Sequence, residues 1–155
     1  MKKLMGLMMA LVCVLTMTAC GQKAEQEGFT LETLTAVQSA GAFSEELEEL
    51  DADTAFMLYQ LEDYGLERAD LLDCAVLRSA GATCEEGAVL ILSDAGKAEK
   101  AAEALGAYLE DQIESNEDYR PAEIPKLEGA VLMTRGNTVL LTVANDAAAV
   151  RSVFE

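Results

Sequence analysis

The sequence has no histidine, no tryptophan and only two prolines, and aromatic residues make up 5% of its 155 positions. Without histidine there is no imidazole to act as general base, zinc ligand or partner to a nucleophilic serine or cysteine. Scarce aromatics leave few of the exposed ring platforms on which sugars stack. Positive charge is also thin: 11 lysines and arginines face 28 aspartates and glutamates, a net charge of −17. Phosphate backbones are bound through basic surfaces, so no nucleic-acid partner is expected. No cofactor and no metal site is expected either. Asp51-Ala52-Asp53 followed by Glu62 has the outer spacing of a calcium loop, but Ala55 and Phe56 occupy its central positions, where a ligand and a glycine belong.

What is present begins with an address. Lys2 and Lys3 precede a stretch, Leu4 to Ala19, without a single charge. That run is short for a membrane span of about 20 residues and contains Gly6, so it reads as an export signal. It ends Met17-Thr18-Ala19-Cys20-Gly21, which resembles a bacterial lipobox with methionine in place of the usual leucine. Cleavage before Cys20 and diacylglyceryl transfer to its sulfur would make Cys20 the lipidated N-terminus. Two acyl chains are enough to hold a protein on a bilayer. The expected organisation is a signal peptide over 1–19, a tether over 20–28 and one domain over 29–155. Fully extended, the tether reaches only about 30 Å. Losing residues 1–19 removes two lysines and no acid, so the exported chain is still more acidic and is repelled by anionic headgroups at close range. The expected location is the outer face of the cytoplasmic membrane, and the expected partner there is the membrane itself, through the anchor, together with a protein at its surface.

The body reads as α+β. Leu31, Leu34 and Val37 set a helical spacing within Phe29 to Phe43, with Thr30 as cap and Gly41 as stop; a second helix is expected from Thr54 to Asp63. Then one pattern is stated twice: strand, turn, strand, helix. The first copy uses Cys74 to Leu77, Ala88 to Leu92 and the helix after Ser93-Asp94. The second uses Ala130 to Met133, Val139 to Val143 and the helix after Asn145-Asp146. A two-residue Gly136-Asn137 turn would pair Arg135 with Thr138 and put Ala130, Leu132, Thr134, Val139, Leu141 and Val143 on one face. The long helix from Ala95 to about Ser115 offers Ala98, Ala102, Leu105, Leu109 and Ile113 as its buried stripe. The final helix, Asp146 to Phe154, is expected on the same core. The sum is a four-stranded, mostly antiparallel sheet preceded by two N-terminal helices.

Cys74 and Cys84 are the thiols left in this body. No hairpin register sets them opposite each other, so they read as small buried residues or, with backbone adjustment, a bridge. Arg78 and Arg135 fall at corresponding strand ends of the two copies and are candidates for an anion pocket. Tyr64 and Tyr119 are further candidate binding residues, beside structural readings of Tyr64-Gly65 as a helix stop and Tyr119-Arg120-Pro121 as the start of a strand.

In order, the lipobox, the short tether, the acidic lead-in, Tyr64-Gly65-Leu66, Tyr119-Arg120-Pro121 and the hairpin at Gly136-Asn137-Thr138-Val139-Leu140-Leu141 resemble bacterial lipoproteins carrying the domain of unknown function 4358, common in clostridia-like Firmicutes. Departures are the alanine-rich long helix and Thr138, where an aromatic is more usual. The resemblance implies an address and a fold over roughly Phe29 to Glu155, and brings no catalytic residues. The functional expectation is therefore a non-catalytic ligand- or protein-binding module tethered to the membrane. The alternative is an extracytoplasmic enzyme using carboxylates or a metal, since 28 acids can conceal a pair.

Overall fold

A computed structural model describes residues 27–154. The signal peptide, Cys20 and all but the last two tether residues lie outside the described residues. Five strands, not four, form a wholly antiparallel sheet in the order β1-β2-β3-β5-β4: β1 (Glu48–Leu50), β2 (Leu71–Arg78), β3 (Glu86–Leu92), β4 (Val131–Arg135) and β5 (Thr138–Val143). The added strand, β1, lies inside the acidic stretch and pairs with Val76 to Arg78. Two of its three residues are glutamates, which suits a short sheet edge that must not recruit further strands.

The hairpin β4–β5 forms as its sequence dictates, with Arg135 opposite Thr138 and Val131 opposite Thr142. Gly136 takes φ +55° while Asn137 keeps a negative φ, so the turn requires glycine at its first central position. Alternation puts Val139 and Leu141 on one face and Leu140 on the other, and both faces are covered. In the first hairpin Arg78 opposes Glu86, so Cys84 lies in the loop 79–85 while Cys74 stands opposite Leu90. Both thiols are free.

The helices divide between the two faces. On one, α2 (Ala52–Leu58) and α3 (Ala95–Asn116) pack Phe56, Tyr59, Ala101, Ala104 and Leu105 onto Val76, Leu90, Val139 and Leu141. Asp51 caps α2 by accepting from the Asp53 and Thr54 amides at 3.0 and 2.9 Å, which explains its carboxylate without calcium. The second helix is shorter than expected: Gln60 turns left-handed at φ +50°, and a 3-10 turn, Leu61–Tyr64, ends at Gly65. On α3 the buried stripe is Ala98, Ala101, Ala104, Leu105 and Tyr108, with Ala102 and Leu109 at its margin.

The opposite face is covered by α1 (Glu32–Ser39) and α5 (Ala147–Ser152), through Leu34 on Val89 and Leu140 and through Val37 beside Val150. The final helix thus packs on the other core from the one expected: the two hairpins repeat, their helices do not. The α1 segment comes so close that a Cβ on Gly87 would stand 3.0 Å from Leu34 Cδ2 and 3.1 Å from Phe43 Cζ. Thr30 does not cap α1 with its side chain; its N–H donates to Thr33 Oγ1 at 3.0 Å. At the Gly136 end of the sheet the Phe29 amide donates to Thr138 Oγ1 at 2.8 Å, and the Phe29 ring meets Phe154 edge-on at 5.7 Å. After α3, Pro121 opens a 3-10 turn (Pro121–Glu123) that runs into α4 (Ile124–Glu128). Pro121 therefore starts a helical segment, as its fixed φ and missing N–H allow, and not a strand.

Candidate functional site

At the Arg78 end of the sheet the loop 79–85, β1, the end of α3 and α4 surround a cavity of about 250 Å3. Its wall includes Glu86, the first residue of β3 and 2% exposed. The carboxylate accepts from Tyr59 Oη at 2.6 Å and Tyr108 Oη at 2.7 Å, and Arg78 Nε stands 3.2 Å from Oε2. The two rings meet edge-to-face at 5.2 Å, so each hydroxyl is aimed by packing as well as by its acceptor. Burial raises the Glu86 pKa against the pull of these three donors. Burial, and then the Glu86 charge, hold both phenols well above their ordinary value, so they remain donors.

Glu85 precedes it and, being one residue away on extended chain, points elsewhere. It is fully buried and takes Lys126 Nζ at 2.8 Å, the Ser44 amide at 2.7 Å and the Ser44 hydroxyl. Burial opposes its charge, but Lys126 and Ser44 outweigh burial and hold the carboxyl below the usual range. Glu123 completes the cluster, 3.2 Å from Lys126 Nζ and accepting the Cys84 amide at 2.9 Å. Burial pushes the Cys84 thiol up, and Arg120 offsets this only in part, so Cys84 is a poor nucleophile at neutral pH.

Arg120 is pinned to the loop. Its Nε donates to Asn116 Oδ1 at 2.8 Å, and its Nη1 to Gly81 O at 3.2 Å and Thr83 O at 3.1 Å. Ser79 Oγ accepts from the Gly81 and Thr83 amides, holding the same turn from inside.

The candidate residues read from sequence are scattered. Arg78 lines this cavity. Arg135 lies at the other end of the sheet and on the other face, its guanidinium 4.7 Å from the Phe29 ring centre and 5.5 Å from that of Phe154. The pair therefore forms no common anion pocket: corresponding ends of two hairpins joined through antiparallel β3 and β5 lie at opposite ends of the sheet. Tyr64 borders a shallow cleft of about 30 Å3 with Tyr59 and Tyr108. Tyr119 is 81% exposed, with Arg120 5.8 Å from its ring centre. Glu85, Glu86, Tyr59, Tyr108 and Arg120 were not indicated by the sequence. The one available signal was a pair of acids opening an otherwise apolar strand. Among the described residues no cluster of three or more metal-binding side chains occurs, and no helix is long and apolar enough to cross a membrane.

These features define an antiparallel α+β domain, covered on both faces, with a polar cavity at one end of its sheet. The chain belongs to the family described as Domain of unknown function (DUF4358), whose model matches residues 44–144. The match holds all five strands and every residue of the cavity wall, and leaves α1 and α5 outside. No curated protein and no solved structure is detectably similar to the chain.

Proposed function

We propose that the protein is a lipoprotein on the outer face of the cytoplasmic membrane, anchored through Cys20, whose sheet-end cavity binds a small polar ligand without transforming it. One observation carries the binding role: the cavity is walled by charged groups whose positions are set by the protein. All four oxygens of Glu85 and Glu86 already accept hydrogen bonds or ion pairs. A catalytic carboxylate needs a free oxygen within reach of a substrate proton. In Glu85 and Glu86 none is left over, and Glu48, the third wall carboxylate, stands exposed on the edge strand β1, which favours binding over the carboxylate-dependent enzyme. A cavity of about 250 Å3 falls below the roughly 300–1,000 Å3 of drug-sized sites and suits a small metabolite. A docked protein finds less support, since the large exposed apolar residues among those described, Met57, Leu72 and Tyr119, come from three separate segments.

Ligand-observed NMR against a fragment set of small metabolites, followed by amide shift mapping, tests the binding role. Hits that move the Gly81, Thr83 and Gly87 amides are expected; binders that act elsewhere, or none, overturn it. Cys20→Ser is expected to release the protein from the membrane fraction and abolish its lipid mass. Retention of the variant in the membrane defeats the anchor.

A further inference from the structure

We infer that the cavity takes a small carboxylate, clamped between the guanidinium groups of Arg78 and Arg120. This deepens the ligand-binding reading and rests on it. Arg120 spends Nε and Nη1 on an amide oxygen and two backbone carbonyls, all neutral. No carboxylate among the described residues stands within 4.0 Å of it, although the chain has 28 acids to 11 bases. Its charge is held in place and left uncompensated. Arg78 commits Nε to Glu86, and among the described residues neither of its Nη atoms has a partner. On the acceptor side, the oxygens of Glu85 and Glu86 are occupied. Glu48, opposite Arg78 on the exposed edge strand, is the one wall carboxylate without a partner among the described residues. Deeper in, around Arg120 and the Nη atoms of Arg78, the wall has donors to spare and calls for a ligand rich in acceptors.

A carboxylate fits better than the other common anions. It is planar with two oxygens, matching the fork of a guanidinium. Its single charge also costs less than a phosphate dianion in a cavity that already holds Glu48, Glu85 and Glu86. Leu50, Leu127 and Val143 supply apolar wall for a short tail. Because the arginines are held before the ligand arrives, little ordering is left to be done on binding.

The test titrates the folded domain with acetate, butyrate and succinate, with the matching amides and amines, and with inorganic phosphate, following the same amides by NMR. Carboxylates alone are expected to bind, and Arg78→Gln and Arg120→Gln are each expected to weaken them at least tenfold. Arg151→Gln, a charge removed from exposed α5, is expected to leave affinity unchanged. Circular dichroism of each variant separates lost binding from lost folding, and Arg78→Lys provides a gentler second variant should Arg120→Gln unfold. Binding of amides, amines or phosphate with carboxylates silent overturns the assignment while the cavity stays a binding site. Equal loss in Arg151→Gln reduces the effect to net charge and also overturns it. Silence of the whole panel, beside cavity hits from the fragment set, sinks the carboxylate alone; silence in both sinks the two readings together.

Discussion

Replacing Glu86 by leucine tests the energetics of the cavity wall. The new side chain keeps the volume but leaves both phenols without their acceptor. Tyr59 is 1% exposed, so its orphaned hydroxyl costs about 1–3 kcal/mol. Tyr108 borders the cavity and can recruit water, so its loss is smaller, about 1 kcal/mol. Removing the buried charge returns some of its desolvation cost, and Arg78, whose side chain is 37% exposed, is rehydrated. The net expectation is a loss of about 2–3 kcal/mol for Glu86→Leu, seen in urea as a midpoint lower by roughly 1 M at an m-value of about 2 kcal/mol/M. Glu86→Gln should lose under about 1 kcal/mol, because an amide can accept from one phenol and donate to the other. The raised Glu86 pKa agrees: relative to water, burial in the folded protein shifts the balance toward the neutral form. Its linkage therefore runs opposite to an ordinary paired carboxylate, and stability falls as pH rises from the usual glutamate value through the native one. Combining Glu86→Leu with Tyr59→Phe and Tyr108→Phe should recover most of the loss, because no polar group is then left stranded. A silent single variant, or a triple variant no better than the single, refutes the reasoning.

Lys126→Met strands the buried Glu85 carboxylate with only the Ser44 donors and is expected to cost about 2 kcal/mol at neutral pH. Because Glu85 is held below the usual carboxylate range, its contribution is full above that range and is lost as pH falls through the native value. Denaturant melts of the parent and the variant should converge in acid, and a constant gap contradicts the pairing. Gly136→Ala places a Cβ in open space but on a φ of +55°, so its cost is purely backbone, about 1 kcal/mol. An unchanged thermal midpoint would show that the turn does not need glycine.

How far the fold could be read in advance depended on how local its causes were. The β4–β5 hairpin follows from Gly136-Asn137 and the alternation around it, and its register came out residue for residue. The long helix was legible from Asp94, which caps it, and from its alanine-rich face. Strand β1 was not, because three residues with two glutamates give no period, and their pairing is decided by Val76 to Arg78, more than twenty positions away. The face chosen by α5 was equally hidden: Val150 suits either core, and Val37 and Ala42, far back in the chain, select one. The cavity is the extreme case. Glu86 meets Tyr59 and Tyr108 from 27 and 22 positions away, and Arg120 meets Gly81 across 39. Arg78 and Arg135 looked equivalent along the chain, and only the antiparallel joining of the hairpins set them apart.

The bond between the Phe29 amide and Thr138 bears on how the domain would stand on a surface. It ties the beginning of the folded body to the Gly136 turn, while the cavity lies at the far end of β5, about 17 Å away over the steps of roughly 3.3 Å from Thr138 to Val143. A lipid on Cys20, as proposed, would attach the body at the end of the sheet away from the arginine-lined cup, leaving that cup unobstructed by the anchor for solutes arriving from outside.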